Sequence, residues 1–196
     1  MKTLEEYAAL AEGSHGHLCA GQILGIRMAM LGLSALDIDD PVKARKRLVT
    51  FVEIDRCATD AVSLVTGCRL GKRSLKYVDY GKVAATFVDL ETGRAVRVAA
   101  REEAREKAKA MFPALANTAQ AQIEAYKVME NDDLFSLEAV RVSLNPEDLP
   151  GRPRSRVTCA RCGEGVNDGR ERREGERLLC RSCAGEGYYE VVASGK

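Results

Sequence analysis

Leu24, Met28 and Leu31 recur at the spacing that puts side chains on one face of a helix, and the stretch from Cys19 to Leu31 is apolar almost throughout, which predicts a buried helix. Gly21 and Gly25 stand four apart on one of its faces. Each costs up to about 1 kcal/mol against alanine in a helix, so their presence implies that another backbone comes close there. An earlier helix is predicted over Thr3 to Ala11, interrupted by Gly13-Ser14-His15-Gly16-His17. From Leu48 to Ile54 the residues are β-prone and apolar at both parities, the pattern of a strand covered on both faces. Thr59 and Asp60 open an amphipathic helix through Val65, with Gly67 where a C-terminal cap is expected. Lys82 to Leu90 and Arg94 to Ala99 read as antiparallel strands joined across Glu91-Thr92-Gly93. A charged helix over Arg101 to Met111 stops at Pro113, a second covers Thr118 to Glu130, and Leu137 to Leu144 reads as a last strand. Helices and strands mix without strict alternation, so residues 1–145 are expected to form an α+β domain.

Three of the five prolines (Pro146, Pro150, Pro153) fall in the next few residues, which marks a linker over 146–157 and leaves 158–196 as a second domain. A chain of 196 residues with 45% hydrophobic and 30% charged residues has ample material for this division. Its formal net charge of +1 argues against a protein that coats polyanions over its whole surface. The acidic N-terminal segment lacks the apolar core of a signal peptide, and no run of about 18 apolar residues marks a membrane span, so a soluble cytoplasmic protein is expected. Seven cysteines, an odd number, point to metal or thiol chemistry rather than to a disulfide framework.

Cys159-Ala-Arg-Cys162 and Cys180-Arg-Ser-Cys183 are two CxxC pairs separated by seventeen residues, a spacing that fits one tetrahedral, structural Zn²⁺. A redox dithiol or an iron–sulfur centre are the alternatives. From Gly151 onward ten basic residues face seven acidic ones, and four thiolates with Zn²⁺ bring the balance down further. This is a weak footprint for nucleic-acid binding, and contact with a protein, or simple stabilisation, is the preferred role.

Both histidines of the chain lie in His15-Gly16-His17-Leu18-Cys19. If the stretch is extended, alternate side chains converge, whereas in a helix residues two apart diverge; a metal site here therefore requires the next helix to begin at or after Cys19. Cys57 ends the predicted central strand and opens the next helix, the edge of an α/β sheet at which ligands gather. A helix N-terminus also lowers a thiol pKa, which makes Cys57 a candidate thiolate at neutral pH. His17, Cys19 and Cys57 together would form an incomplete coordination sphere for a second zinc or another transition metal. The plain alternative is that Cys19, Cys57 and Cys68 are small buried hydrophobes. Gly67-Cys-Arg-Leu-Gly71-Lys72-Arg73-Ser74 approaches a phosphate-binding P-loop but is one residue short and follows a helix. Lys72 is left as a cation that an anionic ligand could use, or as part of an ordinary basic turn.

The ordered set His15-Gly16-His17-Leu18-Cys19-Ala20-Gly21, Gly25-Ile26-Arg27-Met28-Ala29, Asp55-Arg56-Cys57-Ala58-Thr59-Asp60-Ala61, Thr66-Gly67-Cys68, Leu70-Gly71-Lys72 and Tyr80-Gly81-Lys82 resembles the FmdE family. That family is named for a protein encoded beside the subunits of molybdenum formylmethanofuran dehydrogenase. The chain departs from the family's usual pattern at Ala20, commonly Pro, and at Arg69, commonly Thr. The resemblance implies an α+β core with a mixed sheet flanked by helices, and a C-terminal treble-clef zinc finger at Cys159 to Cys183. It also implies an active site in which His17, Cys19 and Cys57 hold a metal, with His15, Asp60, Cys68 and Lys72 as further candidates around it. The expected role is accessory to one-carbon or molybdenum-enzyme redox metabolism, with redox-enzyme subunits as partners and a homodimer contact left open by Gly21 and Gly25. A zinc-finger regulator binding nucleic acid or a partner protein, and a metallochaperone, are the competing readings.

Overall fold

The computed structural model describes residues 1–115 and 117–192; the last four residues of the expected zinc domain lie outside that range. The chain forms two compact units, Met1–Ser143 and Leu144–Lys196.

The first unit opens with α1 (Leu4–His15), whose start is a reciprocal cap. The Thr3 hydroxyl accepts from Glu6 N at 3.2 Å and the Glu6 carboxylate accepts from Thr3 N at 2.8 Å. The helix runs four residues beyond the predicted end. Gly16, at φ 86°, closes it by donating to Glu12 O at 2.8 Å, a left-handed cap that glycine adopts without strain. Then α2 (Ala20–Ala35) also outruns its prediction, because Gly32 and Leu33 continue the buried face. A single turn, α3 (Pro41–Ala44), is capped by Asp40 and leads into β1 (Leu48–Val52).

β1 is followed by α4 (Cys57–Thr66), ended by Gly67 at φ 69°, and by β2 (Leu75–Tyr77), a three-residue strand too short for sequence periodicity to reveal. Next come β3 (Ala84–Asp89) and β4 (Ala95–Ala100). In the turn between them the buried Asp89 carboxylate accepts from Glu91 N and Thr92 Oγ1, both at 3.0 Å. Helices α5 (Glu103–Met111), α6 (Thr118–Val128) and the short α7 (Asn131–Leu134) precede β5 (Phe135–Val140), which begins earlier and ends earlier than the sequence pattern indicates.

The strands form one sheet in the order β2-β1-β3-β4-β5. β1 runs parallel to β2 and every other pairing is antiparallel, so the sheet is mixed. Phe87 lies opposite Thr50 on β1 and Val96 on β4, and this face carries the core. α2 crosses it, packing on β3, β4, α4 and α6. That crossing depends on glycine. A Cβ on Gly25 would sit 2.8 Å from Ala58 Cα, and one on Gly32 would sit 2.8 Å from Cγ of the fully buried Phe87. The glycine face that left a dimer contact open is thus filled by α4 of the same chain, because only a bare backbone admits another helix so closely.

The second unit holds two hairpins, β6 (Arg156–Thr158) with β7 (Gly165–Asn167) and β8 (Arg172–Glu174) with β9 (Arg177–Leu179), then a helical turn over Ser182–Glu186. Leu179 and Cys159 are its buried apolar residues among those described. So small a core does not hold a fold by itself. No helix among the described residues is long and apolar enough to cross a membrane.

Gly32→Ala should destabilise the first unit by about 1–3 kcal/mol, because overpacking against Phe87 outweighs the gain in helix propensity. Gly13→Ala, at an α1 position with nothing within 4 Å of the added methyl, should stabilise it by about 0.5–1 kcal/mol. Urea unfolding of the two variants checks both signs.

Candidate metal centres and the cleft at Cys57

In the second unit the turn after β6 is shaped as a metal knuckle. Cys159 N donates to Glu164 O at 2.9 Å, and Gly163, at φ 77°, donates back to Cys159 O at 3.0 Å. Cys180 follows β9, and Cys183 N donates to its Sγ at 3.4 Å from within the helical turn. The ligand atoms of Cys159, Cys162, Cys180 and Cys183 all lie within 4.8 Å of one another, with Cys162 Sγ and Cys180 Sγ 3.9 Å apart. A tetrahedral zinc with Zn–S of about 2.3 Å needs sulfurs about 3.8 Å apart. The cluster therefore fits such an ion, and two hairpins with a helical turn are the expected frame for it.

The four thiols are unequal before metal arrives. Backbone N–H groups of Cys162 and Cys180 draw the Cys159 thiol down to about 6, while hydrogen bonding to Cys180 pushes Cys183 up to about 12. Metal binding requires all four to shed their protons. Because protons compete with the ion for the four sulfurs, metal retention should hold at pH 7 and fail as pH drops. Chelation, or Cys180→Ser, should unfold the second unit alone, since structural zinc is worth on the order of 10–16 kcal/mol of apparent binding free energy. Circular dichroism and limited proteolysis of the full chain read this directly.

The first unit brings the other candidate residues to the N-terminal ends of α2 and α4. Cys19 is the cap of α2, and its N–H donates to Gln22 Oε1 at 2.9 Å. Gln22 is only 2% exposed, and its Nε2 donates across to Ala11 O at 3.3 Å, which ties α2 to α1. α2 thus begins after Cys19, as a metal site there requires. Cys57 is the first residue of α4, held by Thr59 Oγ1 donating to Ile54 O. A Cβ built on Gly21 would meet Cys57 Cβ at 3.6 Å and Cys19 Sγ at 3.8 Å, so the two cysteines flank the same glycine.

Burial, followed by the neighbouring Cys19 thiol, pushes the Cys57 thiol up. This corrects the expectation of a free thiolate at neutral pH: the backbone N–H groups at the helix start lower the pKa by less than burial, Cys19 and Asp60 raise it. His15 belongs to the last turn of α1, so it does not line up with His17 and Cys19 along an extended strand; its ring meets that of His17 edge-on at 4.8 Å. Among the described residues the four second-unit cysteines are the one group of three or more potential ligands within mutual range. His17, exposed between α1 and α2, does not close on Cys19 and Cys57 in this geometry. Cys68 is 1% exposed and accepts from Thr50 Oγ1 at 3.4 Å, inside the core.

Beside Cys57 lies a cavity of about 460 Å³. Val52, Ile54, Leu75 and the largely exposed Leu70 are its apolar lining, and Asp55, Arg56, Thr59, Asp60 and Tyr77 contribute polar groups. A second cavity of about 330 Å³, between α1, α2 and α4, is lined by Ser14, His15, Gln22, Ser63 and Arg69, and shares Asp60 with the first. Leu75 and Tyr77 escape sequence reasoning because β2 does, whereas Leu70 stands in the Leu70-Gly71-Lys72 motif of the turn before it. The β-prone triplet Leu75-Lys76-Tyr77 is the sole trace of that strand.

Similar proteins give this arrangement a context. The profile described as "FmdE, Molybdenum formylmethanofuran dehydrogenase operon" matches residues 14–136. A tungsten formylmethanofuran dehydrogenase FmdE-like protein from Syntrophus aciditrophicus shares the fold with a TM-score of 0.63 and 25% identity, over 96% of each chain. A probable S-adenosyl-L-methionine-binding protein of Archaeoglobus fulgidus is 29% identical over 207 aligned positions, covering 94% of this chain and 54% of its own length. The chain thus spans about half the length of that curated relative. With a profile match over more than half of its residues, on the same segments that carry Cys19 and Cys57, the chain belongs to the FmdE family.

Proposed function

We propose that this protein is an accessory metalloprotein of one-carbon redox metabolism, working in the reducing cytoplasm beside the subunits of a formylmethanofuran dehydrogenase-type enzyme. Cys57, Cys19 and His17 form its working site, and the four-cysteine unit holds a structural zinc. The observation that carries this reading is the pairing of Cys19 and Cys57 about Gly21, at the edge of a cavity of about 460 Å³. Two thiols from two helix starts are two ligands of the kind that zinc and other transition metals take. The third comes from His17, which has to turn inward from the connection between α1 and α2.

A metal held there supplies Lewis acidity and stabilises both thiolates against the burial that disfavours them. The surrounding residues do the rest. Asp60 stands one helical turn along from Cys57 and faces both cavities, placed to accept a proton from an incoming ligand. Val52, Ile54 and Leu75 give the cavity an apolar face, and Tyr77 offers a hydroxyl to it.

A second reading draws on the Archaeoglobus relative, described as a probable S-adenosyl-L-methionine-binding protein. The same cavity supports it, since an apolar lining suits an adenosyl group and Asp55 and Asp60 suit a sulfonium cation.

Metal analysis of anaerobically purified full-length protein tests the first reading. Two metals per chain are expected in the wild type and one in Cys57→Ser. A single metal in both, lost only when Cys180 is replaced, would overturn the core site. Saturable binding of S-adenosyl-L-methionine, weakened in Asp60→Asn and indifferent to metal, would favour the second reading instead.

A further inference from the structure

Most arginines and lysines that approach a carboxylate in this chain are matched to it: Arg94 with Asp37, Arg97 with Glu53, Lys107 with Asp133, and Lys109 with Glu106. At the far end of α4 the pattern changes. Arg45, Arg69 and Lys72 line one small cavity of about 170 Å³ together with Val42, Thr66 and Gly67, and no carboxylate lines it. Among the described residues none of these three cations has an ion-pair partner.

They reach the cavity from separate parts of the chain. Arg45 closes α3, and Arg69 precedes the turn Leu70–Lys72. The loop is held in shape by Gly67 at φ 69° and by Arg69 N donating to the buried Ser74 Oγ at 3.1 Å, so Arg69 and Lys72 are carried on an anchored segment. Three like charges around one concavity repel one another. All three side chains are exposed, so water and salt screen part of that repulsion, and the local positive field that is left would draw an anion into the concavity.

We infer that this cavity binds the phosphate group of a small phosphate ester, through Arg45, Arg69 and Lys72. The size favours a small ligand's charged end, because about 170 Å³ is below the roughly 300–1,000 Å³ that holds a drug-sized molecule. Arg69 also lines the cavity of about 330 Å³ that holds Ser14, His15, Asp60 and Ser63, and an ester's organic part would extend along that side chain toward its hydroxyl groups. Guanidinium forks and an ammonium are the side chains best matched to phosphate oxygens. The site does not depend on the metal reading of Cys57, which lies at the opposite end of α4.

The test is calorimetric titration of the full-length, zinc-loaded chain with inorganic phosphate and with glycerol 3-phosphate at low ionic strength. One site per chain is expected for each probe, the ester binding more tightly. Arg69→Gln and Lys72→Gln should each weaken binding roughly tenfold or more. Lys46→Gln, which removes the same charge from the neighbour of Arg45 that does not line the cavity, should leave it within about twofold. No saturable binding of either probe would overturn the inference, as would an equal loss in Lys46→Gln. It would also be overturned if only a DNA or RNA oligonucleotide bound, with affinity falling steeply in salt, for that is a polyanion surface and not a phosphate-ester site.

Discussion

The first unit rests on the close approach of α2 to its neighbours. Gly25 lets the backbone of α4 come against α2 where any side chain would collide with Ala58, and Gly32 admits the ring of Phe87 from the sheet. Each glycine weakens the helix that contains it, and the burial of Ile23, Ile26, Met28 and Leu33 along the same helix offsets that cost. The approach also decides where the two cysteines of these helix starts sit. With α2 and α4 in backbone contact at Gly25, their N-terminal ends carry Cys19 and Cys57 to either side of Gly21. The cysteines are neighbours because the helices are.

The second unit follows a different logic. Its strands are three residues long and its apolar interior is slight, so the four sulfurs replace a core rather than decorate one. Before metal arrives, the backbone N–H groups of the knuckles already favour a thiolate at Cys159 while Cys183 keeps its proton. A first ligand is thus prepared, and the other three would have to give up their protons to hold an ion.

The parts legible in the sequence are those with long or strongly spaced signals. The helical repeat of Leu24, Met28 and Leu31, the two CxxC pairs and the β-prone run from Leu48 onward each depend on many residues agreeing, and the α+β fold with its mixed sheet follows from them and from the family resemblance. Short elements are not legible. α3, α7 and β2 have three or four residues apiece, too few for a period to show. Helix ends depart from their sequence signals where tertiary packing extends a helix, as Gly32 does for α2, or where the true cap is Gly16 rather than Gly13. Within the cleft, Cys57 can be named from its place at a strand's end, whereas Leu75 and Tyr77 belong to a strand whose role emerges only from its parallel pairing with β1. The protonation of Cys57 escapes a local rule about helix starts because burial and a second thiol, both products of the fold, outweigh it.

β2 has a further consequence. It lies at the edge of the sheet, three residues long, and its one strand partner is β1. Two of its residues, Leu75 and Tyr77, are also wall and rim of the cavity at Cys57. One side of the cleft is therefore built from a short edge strand, where local opening requires less free energy than in the middle of the sheet. The opposite side stands on α4, clamped by the glycine contact with α2. A cleft built this way has one stiff wall, which carries Cys57, and one compliant wall.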